Sequence, residues 1–509
     1  MSEPTDRRSL LGTLGGAVAV AGLSQEAHAA LRLSDPLSPP DTTFNIKSFG
    51  AAGDGRTDDT AALQAALDAM QRDGHRSFYL PPGQYCISRP LKVPRGLTSA
   101  EFRGASGYDG VRGPINFGLS TSLKWIGPDA PGSPMVRFDQ SSGIRWAGIS
   151  LDCSYKAGFG LQFMSSDGST GSVKNIVENC SIHYAARDGI IVGERGTPTA
   201  GPGKRQFFGN VFRNLTFFGC RTAAIHVNEW NADQQLFDTV MVYLDDGTPP
   251  RKSDNAFWFD HGGQWSMLIN CQAGGLTVDP TVPSSGFMIR NQASDSTTGG
   301  AFGLTVINAW QEGAGGLYYG VTSTNDNKGF TFIGCASFTS GSGVPSVFID
   351  KGTSTRIGYT FVGCSLASDI KIATPAVRRG DIVLLNCSFS PGKGLLNVSG
   401  GRTIDGVYTL GGVGNGVLVI PSTTDTLFCT LKAPVSRVQI AGAARAGDRI
   451  TAVITQDKAG HHAINWSATG DFAPRPAIPQ PDPAPGASTS YTFVSNGSTY
   501  ILVSCVGGG

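Results

Sequence analysis

Residues 44–85 carry the clearest alternation of apolar and polar positions in the chain, and they predict a strand, a helix and a second strand in that order. The apolar run at residues 44–49 predicts the first strand, and Ser77–Leu80 predicts the second. Between them, apolar residues recur at i, i+3, i+4 and i+7, which is the spacing of one helix face, at Leu63, Ala66, Leu67 and Met70. The predicted helix therefore has one apolar face to bury.

The ends of this helix are marked by residues that favour turns. Glycines at positions 50, 53 and 55 predict a turn before it, because glycine reaches backbone angles closed to other residues. Thr57 is placed to cap the helix, while Asp58 and Asp59 put negative charge at the positive end of its dipole. Gly74 is expected to end it. A helix here would cover the open end of a stack of parallel strands, so the segment predicts the entrance to a parallel β-helix.

The ten cysteines follow a pattern that indicates a structural repeat. Six of them stand after an apolar run and one Asn or Gly, at Cys180, Cys220, Cys271, Cys335, Cys364 and Cys387. Asn308-Ala309 repeats this pattern with alanine, and Asp152-Cys153 begins it. The sequence has no C-x-x-C pair, which disfavours a zinc site. We therefore expect free cysteines at equivalent positions of successive coils, stacked in the core.

The spacing of these markers gives the coil length. Most intervals, of 23 to 29 residues, match one coil of three strands, which takes roughly 22 to 28 residues. Longer intervals, of 38 to 51 residues, require extra coils or long loops. Between Cys180 and Ala309 the composition favours loops, because segments 196–203, 245–254 and 279–285 are rich in turn-forming residues. Since insertions often carry function on a repeat scaffold, we expect the site near the middle of the helix.

A glycine-rich stretch near residue 410 separates a second region of alternating strands. Within it, residues 449–455 alternate as a strand does, and Asn496-Gly497 predicts a terminal hairpin. We expect four segments, namely an export signal at 1–29, a linker at 30–43, a parallel β-helix domain at 44–409 and a small C-terminal β domain at 410–509. The predicted fold class is all-β.

Composition agrees with this fold and excludes one class of partner. With 509 residues, 40% of them hydrophobic and 69 of them glycine, the chain can bury a large core and form many turns. The formal net charge is +1, and the sequence contains no basic run. Nucleic acid is therefore not an expected partner, because phosphate binding needs clustered positive charge.

The first 29 residues have the features of a bacterial export signal. Arg7-Arg8 precede a weakly apolar run that ends near Leu23, and Ala27-His28-Ala29 form an A-x-A cleavage pattern. The twin arginine favours the Tat route over an ordinary Sec signal. The apolar run is shorter than the roughly 20 residues that a bilayer span requires, so no membrane partner is expected. We predict a periplasmic or secreted protein.

Segment 44–85 resembles the N-terminal signature of the pectate-lyase-like superfamily, which includes polygalacturonases, polysaccharide lyases and tailspike depolymerases. The resemblance lies in the spacing of Asp54-Gly55, Asp58-Asp59-Thr60 and the alanine-rich helix, and in the close at residues 81–85. It implies a right-handed, single-stranded parallel β-helix with an N-terminal capping helix. It also implies polysaccharide chemistry, although one fold hosts many activities. The C-terminal region is similar to small β domains of phage tail proteins, which leaves a homotrimer open.

In polygalacturonases a coil reads apolar-x-Asn-Cys-x-Ile and continues to Asp-Asp before the next strand. Here Asn179-Cys180 leads to Arg187-Asp188, so Asp188 corresponds to the second aspartate of that pair. Arg187 departs from the first, and the family's asparagine-threonine-aspartate, glycine-histidine-glycine and arginine-isoleucine-lysine motifs are absent. Polygalacturonase activity proper is therefore not expected.

The densest group of carboxylates in the chain follows on the next two coils. Glycoside hydrolysis needs two carboxyl groups about 5 to 9.5 Å apart, one protonated and one ionised. The candidates for acid, base, nucleophile or proton transfer are Asp188, Glu229, Asp245, Asp246, Asp260 and His261. Alternation turns Ile225 and Val227 inward if His226 points outward, so we expect His226 to be exposed. Each of these acids also has a purely structural interpretation, as a turn former or salt-bridge partner.

Residues that could bind sugar surround these acids. Aromatic faces stack on sugar rings, and polar side chains orient them. The substrate-binding candidates are His183, Arg187, His226, Trp230, Asp233, Trp258, Trp265 and Glu312. For β-elimination the base would be Arg187, His183 or His261, with calcium as an optional neutraliser of a uronate carboxylate. Otherwise no cofactor and no metal are expected.

The sequence thus predicts an exported enzyme that cleaves a bacterial or plant polysaccharide. Hydrolysis is slightly favoured over β-elimination. A third hypothesis is a non-catalytic, carbohydrate-binding tailspike or adhesin-like protein that holds a glycan in the same groove.

Overall fold

The computed structural model describes most of the chain between residues 43 and 507. The described residues exclude, within that span, 75, 106–119, 170, 195–205, 244–252, 294–300, 314, 322–326, 340–343, 351–356, 374–381, 391–392, 394, 397–401, 405–406, 414–415, 422–423, 425, 442–445 and 474–476. The predicted export signal and nearly all of the predicted linker therefore lie outside the described residues, as do the predicted loop at 196–203 and most of the one at 245–254. The boundary predicted near residue 410 stays a prediction.

The N-terminal segment begins with a shorter strand than the apolar run predicts. Strand β1 covers Thr43–Asn45, and a 3₁₀ turn follows at Ile46–Phe49. The Asn45 side chain accepts a hydrogen bond from the backbone N–H of Lys47 at 3.0 Å, which starts the turn. Gly50, at φ 89°, ends it in a left-handed conformation.

Helix α1 covers Thr60–Asp73, and the prediction that Thr57 caps it is wrong. Thr57 belongs to the strand before the helix and donates to the Asp54 carboxylate. Asp58 accepts a hydrogen bond from the backbone N–H of Thr60 at 3.0 Å. The carboxylate of the N-cap residue Asp59 accepts hydrogen bonds from the backbone N–H groups of residues 52 and 53. The first turn of α1 is therefore anchored by two aspartates. Gly74 ends the helix at φ 71°, as predicted.

The other regular elements of the described residues are all strands. In chain order after β1, the strands of the coils are β2 (Asp54–Asp58), β3 (Ser77–Leu80), β4 (Gly83–Ile87), β5 (Leu91–Val93), β6 (Glu101–Gly104), β7 (Thr121–Trp125), β8 (Ala130–Asp139), β9 (Arg145–Ala147), β10 (Ile149–Asp152), β11 (Ala157–Met164), β12 (Ile176–His183), β13 (Asp188–Gly193), β14 (Val211–Phe218), β15 (Ala223–Asn228), β16 (Leu236–Tyr243), β17 (Asn255–His261), β18 (Met267–Ile269), β19 (Gln272–Gly274), β20 (Phe287–Asn291), β21 (Thr305–Ile307), β22 (Trp310–Gly313), β23 (Gly316–Val321), β24 (Asn327–Ile333), β25 (Ala336–Thr339), β26 (Val347–Asp350), β27 (Ile357–Val362), β28 (Ser365–Leu366), β29 (Ile370–Ile372), β30 (Ile382–Leu385), β31 (Ser388–Phe389) and β32 (Leu395–Leu396). The strands that follow are β33 (Arg402–Ile404), β34 (Val407–Val413), β35 (Val417–Pro421), β36 (Thr426–Leu431), β37 (Arg437–Ala441), β38 (Ala446–Gln456), β39 (Ser488–Asn496) and β40 (Tyr500–Gly507).

These strands build a right-handed parallel β-helix with three sheets. The first sheet contains β3, β6, β9, β18, β21, β24, β27, β30 and the first halves of β12, β14 and β16. The second contains β2, β4, β7, β10, β19, β22, β25, β28, β31 and the second halves of β12, β14 and β16. The third contains β5, β8, β11, β13, β15, β17, β20, β23, β26, β29 and β32. The predicted fold class is confirmed.

One residue in each coil bends the chain from the first sheet into the second. Nine successive bends have a left-handed residue, at Gly148, Asn179, Asn214, Thr239, Asn270, Asn308, Gly334, Gly363 and Asn386. Glycine and asparagine tolerate this conformation best, and asparagines of adjacent coils pair there, since Asn308 donates to Asn270 at 2.8 Å. The residue after each bend points into the core, which explains the Asn/Gly-Cys pattern.

Two of the predicted markers, Cys153 and Cys220, do not mark the bend between the first and second sheets. Cys180 pairs in register with Leu215 and Leu215 with Val240, so the bends of those coils are Asn214 and Thr239. Cys220 and Cys153 are buried at a different corner, between the second and third sheets. The long interval before Cys271 therefore contains an extra coil, although a loop was favoured there. All ten cysteines are free, as predicted, and eight are buried.

The chain after β32 has its own apolar core. Strands β34, β36 and β38 pair in parallel, and β38, β39 and β40 form an antiparallel meander. The turn between β39 and β40 holds Asn496 and Gly497, which confirms the predicted hairpin. Trp466, Phe472 and Phe493 pack together at the centre of this core, with ring centroids 4.8 to 5.2 Å apart. Among the described residues, no helix is long and apolar enough to cross a membrane.

Candidate active site on the third sheet

Most of the site residues predicted from the sequence lie on or beside the outer side of the third sheet. On β15, Ile225 and Val227 belong to the core, so His226 between them faces outward. A bulge on β17 adds one residue at Asp260, because Val227 pairs with Phe259 whereas Asn228 pairs with His261. Alternation from Trp258 through the core residue Phe259 places Asp260 on the same outer side as His226, and the bulge brings His261 opposite Asn228.

A histidine held between two carboxylates lies at the centre of the site. The His226 Nδ1 atom is 3.2 Å from Asp188 Oδ2, and its Nε2 atom is 3.2 Å from Asp260 Oδ2. All three side chains are at most 1% exposed, so the expectation that His226 is exposed was wrong. Burial lowers the pKa of His226, but attraction to Asp188 and Asp260 outweighs it, and the pKa is raised above its ordinary value. The cluster therefore favours an imidazolium.

The Trp258 indole explains how His226 is covered. His226, Trp258 and Arg290 occupy equivalent positions on three successive coils. The imidazole stacks on the indole with centroids 4.1 Å apart and planes 5° from parallel, while the Arg290 guanidinium lies 4.0 Å from the indole centroid. The indole is thus flanked by two basic groups, an arrangement stabilised by cation–π attraction.

The chain that leaves the third sheet adds a second group of polar residues. His261 Nδ1 lies 3.1 Å from Asp260 Oδ1 and 2.8 Å from Asn228 Oδ1. The Trp230 ring meets the His261 ring edge to face at 4.9 Å, and the Glu229 carboxylate accepts from the Trp230 backbone N–H at 3.1 Å. Both His261 and Glu229 are buried. These residues connect to the central cluster through Asp260.

Asp254 is a partly exposed carboxyl group at the edge of the same sheet. Its backbone N–H donates to the Arg221 carbonyl at 3.2 Å, which fixes it at the start of β17. Burial raises the pKa of Asp254 to about 6, Arg290 opposes this rise, and the negative charges of Asp279 and Asp188 add to it. An acid with a pKa near neutrality that solvent can reach is suited to proton transfer.

Asp233 has a similarly raised pKa for a different reason. It lies in the loop that returns from β15 to the first sheet, and burial raises its pKa to about 6, against one hydrogen bond from the Gln264 backbone. Its Oδ1 atom is buried with no hydrogen-bond partner among the described residues. Asp233 is therefore destabilising in its ionised form.

Asp233→Asn is expected to stabilise the fold in a pH-dependent way. The folded pKa lies above the ordinary 3.8, so the ionised carboxylate costs stability, and this cost grows from pH 3.8 to about 6 and then stays constant. Midpoints of thermal unfolding at pH 4, 6 and 8 should show a gain for the variant that is largest at pH 6 and above. Asp279→Asn is the control of opposite sign, because hydrogen bonds from Thr281 lower the pKa of Asp279. A gain that was equal at all three pH values would contradict this explanation.

The structure brings some of the predicted residues together and separates others. Those on or beside the outer third sheet are Asp188, Arg187, His226, Glu229, Trp230, Asp233, Trp258, Asp260 and His261. His183 lies at the end of the second sheet, where its ring stacks on Phe218 at 4.9 Å. Glu312 lies on the second sheet too, exposed and in register with Phe338, and so does not complete a cleft on the third sheet. Trp265 is 61% exposed in the loop after β17 and packs against Phe302. Asp245 and Asp246 lie outside the described residues.

Three residues of the site were not among the sequence candidates. They are Asp254, which was not a candidate acid, and Arg290 and Asn228, which were missed. Arg290 is in register with His226 only because of the lengths of the two intervening coils. No signal in the sequence shows this alignment, because it depends on the register of the coils. Among the described residues, no group of three or more His, Cys, Asp or Glu is arranged to hold a metal ion.

Comparison with known proteins agrees with this fold. Residues 43–108 match the family model described as rhamnogalacturonase A/epimerase, pectate lyase-like. The match covers the N-terminal part of the chain and, with the parallel coils of the structure, confirms the resemblance of this chain to pectate-lyase-like β-helices.

Two similar proteins from Azotobacter vinelandii are matched over short stretches. The chain is 56% identical over 45 residues to alginate lyase 7 and 58% identical over 45 residues to mannuronan C5-epimerase AlgE3. Each stretch is 9% of this chain, and the chain spans 5% and 2% of those proteins, respectively. The A-module of mannuronan C-5 epimerase AlgE4 from the same organism has a TM-score of 0.40 at 16% identity, covering 69% of this chain and 96% of that one.

Proposed function

We propose that this chain is a polysaccharide-cleaving enzyme that hydrolyses glycosidic bonds on the outer side of the third sheet, with Asp254 as the general acid. The observation that carries this proposal is a partly exposed carboxyl group, Asp254, at the edge of the sheet whose outer side holds Trp258 and Arg290. Protonation of the leaving oxygen requires a carboxylic acid whose pKa is raised toward the working pH. The names of the short-stretch relatives, a lyase and epimerases of alginate or mannuronan, support a polysaccharide as substrate.

The buried cluster has a positioning role in this proposal. Asp188, His226 and Asp260 are at most 1% exposed, so they do not touch the glycan. Asp188 instead contributes the negative charge that helps to raise the pKa of Asp254, and His226 holds Asp188 in place. Hydrolysis also needs a second carboxyl group, as base or nucleophile. For this role we retain the sequence candidates Asp245 and Asp246, which precede Asp254 in the chain.

A β-elimination reaction is the second candidate function. The observation that favours it is the Arg187 guanidinium, which has no acidic partner among the described residues and lies in the turn directly before Asp188. An arginine in that position could remove a proton from the sugar ring. Arg187 and Asp254 lie at the same edge of the third sheet, so hydrolysis and elimination would use the same part of the surface.

One assay separates these functions from binding without catalysis. The full-length protein is incubated with acidic and neutral polysaccharides, and new reducing ends and the absorbance of unsaturated products are both recorded. Reducing ends without absorbance support hydrolysis, and both signals together support elimination. Binding to a glycan without either signal would show a carbohydrate-binding protein and overturn the enzyme proposal.

The pH dependence of cleavage tests the assignment of the acid. Activity should fall as pH rises through the pKa of Asp254, at about 6. Arg290→Gln is expected to move this fall to higher pH, because the arginine lowers the pKa of Asp254, and Asp279→Asn to lower pH, because that aspartate raises it. Arg290→Lys keeps the positive charge and serves as the control. If both neutralising variants shifted the profile in the same direction, a different acid would be titrating.

A further inference from the structure

The corners between the second and third sheets form an aromatic and cationic surface. The proposed hydrolysis gives this surface no role. Tyr155 and Tyr184 lie at the corners of two successive coils, and their ring centroids are 5.1 Å apart. The Arg221 side chain, at the corner of the third coil, reaches back to place its guanidinium 5.1 Å from the Tyr155 ring centroid. Arg187 lies in the same turn as Tyr184. We call these four residues the corner platform.

The two tyrosines adopt a backbone conformation that is unfavourable for their type. Tyr155 has φ 56° and Tyr184 has φ 58°, in the left-handed region that is sterically unfavourable for a bulky residue. The corner of the following coil has Gly219 at φ 60° in the place of Tyr184. A glycine would therefore suit this backbone, whereas Tyr184 places a large ring there, in contact with the rings of Tyr155 and His183. Strain retained at a bulky residue points to a role in function.

The two arginines of the platform are available for a ligand. Arg221 is exposed and Arg187 is half-buried. Neither guanidinium has a carboxylate partner among the residues that the structure describes, whereas Arg145 and Arg213, on the first sheet, share Glu178. Unpaired guanidinium groups beside aromatic faces are suited to a planar anionic group on a ring that can stack.

Backbone hydrogen bonds align the platform with Asp254. The Arg221 N–H donates to the Ala185 carbonyl at 3.2 Å, and the Asp254 N–H donates to the Arg221 carbonyl at 3.2 Å. The corners therefore run in one row along the helix axis, from Tyr155 through Tyr184 and Arg221 to Asp254. A glycan lying along this row would reach the platform and the proposed acid with neighbouring sugar residues.

We propose that the corner platform is a subsite for a sugar residue that bears a carboxylate, with Tyr155 and Tyr184 stacking on the ring and Arg187 and Arg221 binding the anionic group. This subsite rests on the proposed polysaccharide-cleaving function, and it defines the substrate as an acidic glycan. It also predicts that the bound glycan lies along the helix axis.

Affinity electrophoresis of the full-length protein tests the subsite without relying on cleavage. The probes are polygalacturonate, alginate and hyaluronate, each paired with the same polymer after reduction of its carboxyl groups. Wild-type protein should bind at least one carboxylated polymer more tightly than its reduced form. Arg221→Gln should weaken that binding about tenfold, since one charge-assisted hydrogen bond is lost, and Arg437→Gln, at another exposed arginine, should not.

Tyr184→Gly separates binding from a structural role. Glycine suits the φ of 58°, so the midpoint of thermal unfolding should stay within a few degrees of wild type while binding of the carboxylated polymer is lost. Equal affinity for every carboxylated polymer and its reduced form would overturn the subsite, as would unchanged binding in both Arg221→Gln and Tyr184→Gly. These outcomes are distinct from failure of the proposed function. Cleavage of neutral glycans alone would refute the subsite only, and charge-dependent binding without any cleavage would refute the enzyme only.

Discussion

Asp254→Asn is expected to reduce the rate of glycan cleavage by about 10²–10⁴-fold, because it removes the group that protonates the leaving oxygen. The fold should survive the change. The raised pKa of Asp254, at about 6, shows that the structure disfavours the ionised form, and the neutral amide has nearly the same shape. The midpoint of thermal unfolding should accordingly be unchanged or higher at pH 7. Initial rates on the best substrate of the panel measure the effect.

Two comparisons make this prediction specific. Asp238→Asn changes a half-buried aspartate of the preceding strand, on the first sheet, and should leave the rate unchanged. Aryl glycosides with a good leaving group need little protonation, so Asp254→Asn should cleave them at a rate close to that of wild type. A variant that lost activity equally on both kinds of substrate would indicate that Asp254 binds the glycan and does not protonate it.

The fold could be predicted from the sequence because its signals are local. The left-handed bend of each coil favours asparagine or glycine, and the next residue enters the core, so Asn179-Cys180 and its repeats reveal the coils without any knowledge of pairing. The prediction failed where the local signal changed. At Thr239-Val240 a threonine adopts the left-handed bend, which the residue type does not favour, and the coil was read as a loop.

The candidate site was harder to predict because it depends on register. Successive bends lie 23 to 38 residues apart, so the sequence does not show which residues of neighbouring coils align. Asp188 and Asp260 were identified as candidates, but their common partner His226 was expected to be exposed. Alternation gives the side of the sheet that His226 faces. It does not show that Trp258 on the next coil covers the ring.

His226→Ala is expected to destabilise the protein by about 3–5 kcal/mol, because it leaves the Asp188 and Asp260 carboxylates buried without their shared positive partner. It also removes the ring that stacks on Trp258. Denaturant unfolding at pH 6 measures the loss. Asp188→Asn in the His226→Ala background should recover part of it, since one uncompensated charge is removed, whereas Asp188→Asn alone should be destabilising. If the double variant were no more stable than His226→Ala, repulsion between buried carboxylates would not be the cause.

The pH dependence of wild-type stability gives the same interaction a second test, with a defined sign. The pKa of His226 is raised in the folded protein above the ordinary value of 6.5, so proton binding favours the fold. This contribution is fully present below pH 6.5 and is lost as pH rises through the folded-state pKa. The difference in unfolding free energy between wild type and His226→Ala should therefore shrink from pH 6 to pH 9. Since Asp188 also raises the pKa of Asp254, loss of His226 should disturb the pH profile of cleavage, which links the buried cluster to the exposed acid.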